Sequence, residues 1–399
     1  MKKIISLLLT ALLMSCFTAI AQETAPIIIK FKKSELEGNE VKLSAVADEI
    51  SYIKLETNPD ALIGSASRYY VKQIPHGYLI WNSRGAGNIM MFHPEGKFNG
   101  FVGREGKGPG EYNGVYKVLY DKYLDNILVL LPTKVLRYNM NGIFVSSVDI
   151  DTNDSRIERF CVKDDQTWLF TYKKPLREDL FEVGILSTNK EGEIIKQYNL
   201  TDEKSPGSYS YHTQMNYVYQ RENDTYYIPY DYYQTFKLNS SDHWAPYVSI
   251  EAPFKKTPID LFKGHNPMKL NEVQRENGLI LSAFIYGDHM IIRGATPQAF
   301  DILVDLESKE KIHMGYSMEF IKFGISNDLD GGMPFFLRGF DTDGISLEMI
   351  DAAELLDYSG KGMLKPDGKD YGPHMNLTEV LDSTKPEDNP IIVVVHVRQ

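Results

Sequence analysis

The sequence predicts an all-β fold, a six-bladed β-propeller of four-stranded antiparallel blades. Three observations carry that expectation. Aromatic usage is heavy and lopsided, with 25 Tyr and 19 Phe against 3 Trp in 399 residues, and Tyr and Phe suit pleated, half-buried surfaces. A strand–break–strand–turn–strand pattern recurs along the chain. Helix signals are few and short.

The first copy of the repeat is the clearest. It runs through Gly77–Trp81, Ile89–Phe92, the turn His93–Lys97 and Phe98–Val102. The second uses Asn126–Leu131, Val135–Tyr138, the turn Asn139–Gly142 and Ile143–Val148. The third uses Thr167–Phe170, Phe181–Leu186, the turn Asn189–Gly192 and Ile194–Tyr198. Turns of the Asn-Gly and Glu-Gly kind between strand runs mark hairpins, hence antiparallel sheets. Looser copies begin near 226, 289 and 333, so the six starts step by 49, 40, 59, 63 and 44 residues. A propeller blade needs about 40–50 residues, and a ring typically holds four to eight.

The longest insertions are expected around 201–225 and 252–278, where Pro, Gly, Lys and Asn concentrate. The best helix signals are Ile259–Lys263, Asn271–Asn277 and Asp351–Leu356. A blade buries its faces only against its neighbours, so a ring removes both exposed ends. Glu49–Leu55 alternates and Ile391–Val397 is a strong β run. These two are expected to complete the last blade together or to close the ring between first and last.

Four segments then resemble a known family. They are Ile50–Thr57, the first repeat, Gly103–Tyr112 and Glu387–Val395. Gly77–Tyr112 resembles the NHL-type six-bladed propeller repeat, and the whole is similar to exported six-bladed propellers of Bacteroides-type bacteria. The resemblance implies a fold and export. It transfers no catalytic residue to any position here.

Export has its own signal in the chain. Met1-Lys2-Lys3 is a short positive region, followed by an apolar stretch from Ile4 to Met14. Ala19-Ile20-Ala21 before Gln22 fits the small-x-small cleavage rule. Leu13-Met14-Ser15-Cys16 resembles a lipobox with a lipid anchor on Cys16, yet the residues after Cys16 are apolar where a polar tether is expected. Residues 1–21 therefore read as a signal peptide and 22–399 as one propeller domain, outside the cytoplasm: periplasmic, surface-exposed or secreted, with an outer-membrane lipoprotein as the alternative. The apolar run stops at about 17 residues, short of the ~20 that a membrane span needs.

Cleavage there removes Lys2 and Lys3 and no acid, moving the formal net charge from −11 to −13. It also leaves Cys161 alone, without a disulfide partner, in a strand-like run that reads as a buried, inert thiol. No run of five basic residues occurs among the 43 Lys and Arg, which argues against nucleic acid as a partner and against attraction to anionic membrane surfaces.

Cofactor and catalytic motifs are missing. The glycines of Gly103–Tyr112 join two strand-like runs, whereas a phosphate loop must open a helix. They read as a blade-to-blade crossover, with Arg104, Glu111 and Tyr112 as ligand-binding candidates, since binding often sits on loops over rigid scaffolds. Asp328–Gly331 and Asp341–Gly344 lack the full ligand set of a calcium loop, and the nine His show no zinc spacing. No metal and no cofactor is expected. From Tyr209 to Tyr233 there are nine Tyr in 25 residues. Tyr offers rigid contact area with a polar tip, so Tyr211, His212, Tyr232 and Tyr233 join the ligand-binding candidates, against the plain alternative of blade packing. The functional expectation is a non-enzymatic binding module for a glycan, peptide or protein. A lyase or hydrolase with its site at the central channel mouth is the alternative.

Overall fold

The structure, a computed structural model, describes residues 25–32, 42–151, 155–177, 180–200, 205–206, 217–221, 223–229, 233–253, 279–286, 288–296, 298–317, 322–337 and 344–398. The signal-like segment 1–21, most of the expected insertion at 252–278 and the expected helices at 259–263 and 271–277 lie outside them.

Six sheets form the ring of a six-bladed β-propeller. Blades 1 to 5 span 69–102, 117–149, 156–198, 217–251 and 279–317, each a meander of four antiparallel strands. Blade 6 combines Ile345–Ile350, Ile391–Val397 and, from the other end of the chain, Ala47–Lys54. Bridges from Ile50 to Tyr371 and from Tyr52 to Met375 line the outer edge of Ala47–Lys54. The first strand of blades 1 to 5 is innermost: Lys117–Asp121 and Tyr217–Arg221 both touch Arg156–Val162.

The alternation of side chains on a pleated strand explains why the blades stack. In the second strand of blade 1, Leu79 and Trp81 pack into a core shared with Val118, Ile127 and Val129 of blade 2. Tyr78 and Ile80 point the other way, into a core shared with Ile392 and Val394 of blade 6. Four further cores join blades 2–3, 3–4, 4–5 and 5–6. A strand buried on both faces reads as a continuous apolar run, which is why the repeat is loudest at the second strand and quiet at the first, channel-facing one. The repeat as read from sequence thus starts one strand late. In the sixth copy Met333–Leu337 carries a bridge between Ile325 and Phe335, and Ile345–Ile350 follows as a buried strand that ends beside the start of blade 1.

The third-to-fourth-strand turns share one chemistry. In blades 2, 3 and 4 an Asn side chain accepts from two backbone N–H groups of its own turn: Asn139 from Asn141 and Ile143, Asn189 from Glu191 and Glu193, Asn239 from Ser241 and His243. The fourth position takes positive φ, at Gly142, Gly192 and Asp242. Asn and Asp tolerate that conformation, so Asn239–Asp242 is a true copy of the turn without its glycine.

Helices are confined mainly to an insertion in blade 6, residues 351–390. Ala352–Gly360 matches the expected signal. Leu377–Ser383 was not expected, although Asn376 and Glu379 form a full capping box, a pattern legible in sequence. The strand Ile27–Lys30 also departs from expectation. It pairs parallel with the outer strand Trp244–Glu251 of blade 4, while the chain beyond it enters blade 6.

Cys161 is buried between blades 3 and 4, and burial pushes its thiol up to about 12. It is an inert core residue.

The two chain ends are clasped by polar contacts beside the ladder. The Asn389 side chain accepts from the Ile63 N–H at 2.8 Å and donates to the carbonyls of Glu56 and Ala61 at 2.8 and 2.9 Å, with 2% of the residue exposed. Asp388 pairs with Lys54 at 2.8 Å and accepts from Thr57. Asn389→Ala strands three buried polar groups, and we expect a loss of ~2–4 kcal/mol. Urea denaturation checks it, through a lower midpoint at unchanged slope.

Candidate functional site

A propeller's first strands line its central channel, and here their composition differs from that of the chain. Among the described residues Tyr69–Ile74, Lys117–Asp121, Arg156–Val162, Tyr217–Arg221 and Leu279–Tyr286 carry five basic residues and two acidic ones. The whole chain carries 43 and 54. Asp121, at the far end of its strand, accepts from the Tyr123 and Leu124 N–H groups at 2.9 and 3.3 Å. Glu158 is the remaining acid on these strands, and it lies near the start of one.

The first strands of blades 1 to 5 start on the face where the chain crosses from blade to blade. Blade 3 brings its cations to that mouth. Register slips between Ile157 and Arg159, so Glu158 is the extra residue of a β-bulge; bulges re-aim side chains and gather beside functional sites. The Arg159 guanidinium lies 5.5 Å from the centre of the Tyr217 ring of blade 4, and that of Arg156 lies 5.7 Å from the Tyr116 ring leading into blade 2. Lys173, opposite Arg156 in the ladder, completes the group. Burial raises the Glu158 carboxyl, against the pull of Lys173, Arg159 and Arg156. Burial likewise lowers Lys173, with Glu158 opposing and Arg156 reinforcing.

Aromatic rings complete the mouth. Burial raises the Tyr217 phenol; Arg159 opposes the shift, and Tyr70 and Glu158 add to it. Tyr70 belongs to blade 1 and Tyr217 to blade 4, so the influence is electrostatic and acts across the ring. Tyr70 is 49% exposed and leans on Trp81 with ring centres 5.5 Å apart. Tyr217 rests edge-on against Phe284 of blade 5 at 4.9 Å. Phenols and guanidinium groups thus gather near one sheltered carboxyl, a set suited to polar ligands.

The sequence-predicted residues distribute differently. Gly103–Tyr112 is a blade 1 to blade 2 crossover on this same face, tied down from within. The Glu111 carboxylate accepts from the Gly108 N–H at 2.8 Å and from the Arg104 Nε, and these bonds, the backbone one foremost, hold it below the usual carboxylate range. Gly110 has φ +71°, and a Cβ there would lie 2.4 Å from the Phe144 ring. The Tyr112 hydroxyl accepts from the Ile89 N–H and donates to the Val102 carbonyl, both at 2.8 Å, and burial pushes it to about 12. Tyr112 thus works inside the fold, and Glu111 serves the loop, while the Arg104 side chain is 77% exposed. Tyr233 is half-buried against the blade 4–5 core. Tyr211, His212 and Tyr232 lie outside the described residues.

Asp328 and Asp330 are structural. Asp328 accepts from the Ser44 N–H and hydroxyl at 2.9 and 2.7 Å, and Asp330, 4% exposed, from Asn327 and the Gly332 N–H. Among the described residues no three His, Cys, Asp or Glu side chains gather where a metal could be held. The mouth cluster went unread in sequence. Its available signal was Arg156-Ile-Glu-Arg159, a charged start to an otherwise apolar strand.

Residues 26–396 match the family described as Domain of unknown function (DUF4934). The chain belongs to the DUF4934 family. Among solved structures, a Bacteroides fragilis protein described as exported aligns with this DUF4934 chain at TM-score 0.68 and 18% identity, covering 94% of this chain and 100% of that one. That likeness shows a shared fold. A DUF4221 family member from Bacteroides vulgatus aligns at 0.48 and 10%, over 88% and 99% of the two chains. Virginiamycin B lyase from Staphylococcus aureus aligns at 0.36 and 12%, over 66% and 73%, a likeness too slight to carry an argument about activity. No functionally curated protein matches the sequence. Among the described residues of the DUF4934 chain, no helix is long and apolar enough to cross a membrane.

The depressed Glu111 carboxyl gives this DUF4934 fold a pH signature. An acid whose folded pKa lies below its unfolded value stabilises the fold above the unfolded value, and that contribution is lost as pH falls through the folded one. Glu111→Gln is expected to melt lower than the parent at pH 7. Thermal scans should show the gap closing as pH drops below the ordinary glutamate value of about 4.3.

Proposed function

We propose that this protein is an exported, non-enzymatic binding module whose glycan, peptide or protein ligand seats on the channel mouth. The Arg159 guanidinium over the Tyr217 ring of the next blade, with the half-exposed Tyr70 on blade 1, carries this reading. Rings and guanidinium groups on rigid strands offer contact area at small entropic cost. Arg104, exposed on the same face, extends the surface toward blade 2. Binding to glycan arrays and to purified protein ligands tests the reading. Tyr70→Ala, at a half-exposed ring, should weaken binding about ten-fold while leaving the melting temperature in place. Binding that ignores this change would overturn the placement.

Glu158 supports a second reading. A bulged, sheltered carboxyl with a raised pKa, beside phenols and cations, has the attributes of a general acid for a lyase or hydrolase. Saturable turnover of a bound ligand that is lost in Glu158→Gln would replace the binding module with an enzyme.

Export belongs to the same proposal. The positive and apolar segments before Ala21 support it, as does a fold neighbour described as exported. The intact mass of the mature protein is expected to start at Gln22. A mass starting at a diacylated or triacylated Cys16 would identify a lipoprotein instead.

A further inference from the structure

A sheet edge carries unpaired N–H and C=O groups, and native proteins cover it or guard it with Lys, Pro or an irregular turn of the strand. Among the described residues five of the six blades show one or the other. Ile27–Lys30 lies on the outer strand of blade 4, Lys322–Gly324 on that of blade 5, and Tyr371 and Met375 bridge to that of blade 6. In blade 1 the outer strand Phe98–Val102 is broken by Gly100 at φ +120°. In blade 3 the outer strand Ile194–Tyr198 carries Lys196, whose ammonium donates to the Asp242 carbonyl of blade 4 at 3.2 Å.

Blade 2 differs. Its outer strand, Phe144–Asp149, ends its sheet with no strand beyond it among the described residues. From Ile143 to Val148 the chain reads Ile-Phe-Val-Ser-Ser-Val, without charge, Pro or Gly. Ile143 is 62% exposed and Val145 55%, and Phe144 and Ser147 are exposed as well. Uncharged, β-prone runs of six residues are the segments that pair with their like. The ladder behind this strand slips once, between Phe144 and Ser146. Such a slip does not bar strand addition, since blade 4 takes Ile27–Lys30 on a strand whose ladder also slips.

Charge and symmetry select the occupant. A chain of formal net charge −11 repels its own copies over most of its surface, whereas this run brings no charge to a contact. The one acid of the strand, Asp149, stands opposite Lys134 in its own ladder. Each copy offers the same row of N–H and C=O groups, so a two-fold axis satisfies both edges at once and closes the assembly. We propose that the protein pairs with a second copy of itself through this edge, Phe144–Asp149 lying antiparallel to its counterpart so that each copy covers the exposed Ile143 and Val145 of the other. The contact lies on the rim and leaves the channel mouth free. A single strand pair is smaller than the ~1,600 Å² of a standard interface, so the dimer is reversible, with a Kd of about 10–100 μM.

Sedimentation velocity of the mature chain from ~1 to ~300 μM, across that range, tests the proposal. Monomer should give way to dimer as concentration rises, and added salt should favour the dimer by screening the repulsion between two acidic chains. Val145→Lys sets like charges at the edge and should weaken the dimer at least ~10-fold while leaving the melting temperature in place. The Ile150 N–H donates inward to the Thr133 carbonyl, so by alternation that of Ser147 points outward. Ser147→Pro removes that donor and should have the same effect; if it also lowers the melting temperature, Val145→Lys decides. Ile195→Lys, at a 60% exposed site on the outer strand of blade 3, should change nothing. A monomer at every concentration would overturn the second copy as occupant. A dimer indifferent to Val145→Lys, or lost in Ile195→Lys, would overturn the blade 2 edge. Growth beyond the dimer would overturn the two-fold pairing.

Discussion

Everything in this molecule depends on one ladder, the antiparallel pairing of Ala47–Lys54 with Ile391–Val397. A blade has two apolar faces and no partner of its own, so an open row of blades would leave two faces in water. Closing the row joins residues about as far apart in sequence as the chain permits. That contact carries a large loop-closure entropy, offset only when the last core forms. The alternation of Ile391–Val397 shows how it forms. Ile391, Val393 and Val395 fill the core toward blade 5, and Ile392 and Val394 fill the core toward blade 1.

The clasp around the ladder is polar, and it uses the segments that carry the family resemblance. Lys54, Glu56 and Thr57 meet Asp388 and Asn389. These residues have no role at the channel mouth. Their chemistry is that of a buckle: an amide serving three backbone groups and an ion pair beside it, both at the seam where the two ends of the chain meet. The turns do related work between blades. The Gly103 N–H donates to the Gly142 carbonyl and that of Glu56 to Gly96, both at 2.8 Å, so the turn of one blade is bonded to the chain leaving the blade before it.

Rigid closure is what makes the mouth a site. Arg159 lies over Tyr217 of the next blade, and Tyr70 acts on that phenol from blade 1, only because the ring sets its radius. Much of the fold was legible because its cause is local: second strands buried on both faces, Asn-led turns, an alternating run at each end. Blade 4's turn at Asn239–Asp242 was harder to read, since Asp242 supplies the positive φ that Gly supplies elsewhere. The parallel strand Ile27–Lys30 could not be read at all. Its partner lies in blade 4, and nothing in four residues names a distant edge.

The site divides the same way. Alternation and turn chemistry act over a few residues, so the sequence alone determined strands, repeat and ring. It also determined that the glycines of 103–112 serve a crossover, because no helix follows them. Tertiary structure decided which charges converge. Arg104 and Glu111 are seven apart in sequence and pair with each other, whereas Glu158 and Tyr217 are 59 apart and act on each other electrostatically. Electrostatic neighbourhood is a property of distance in space, and only the closed ring sets those distances.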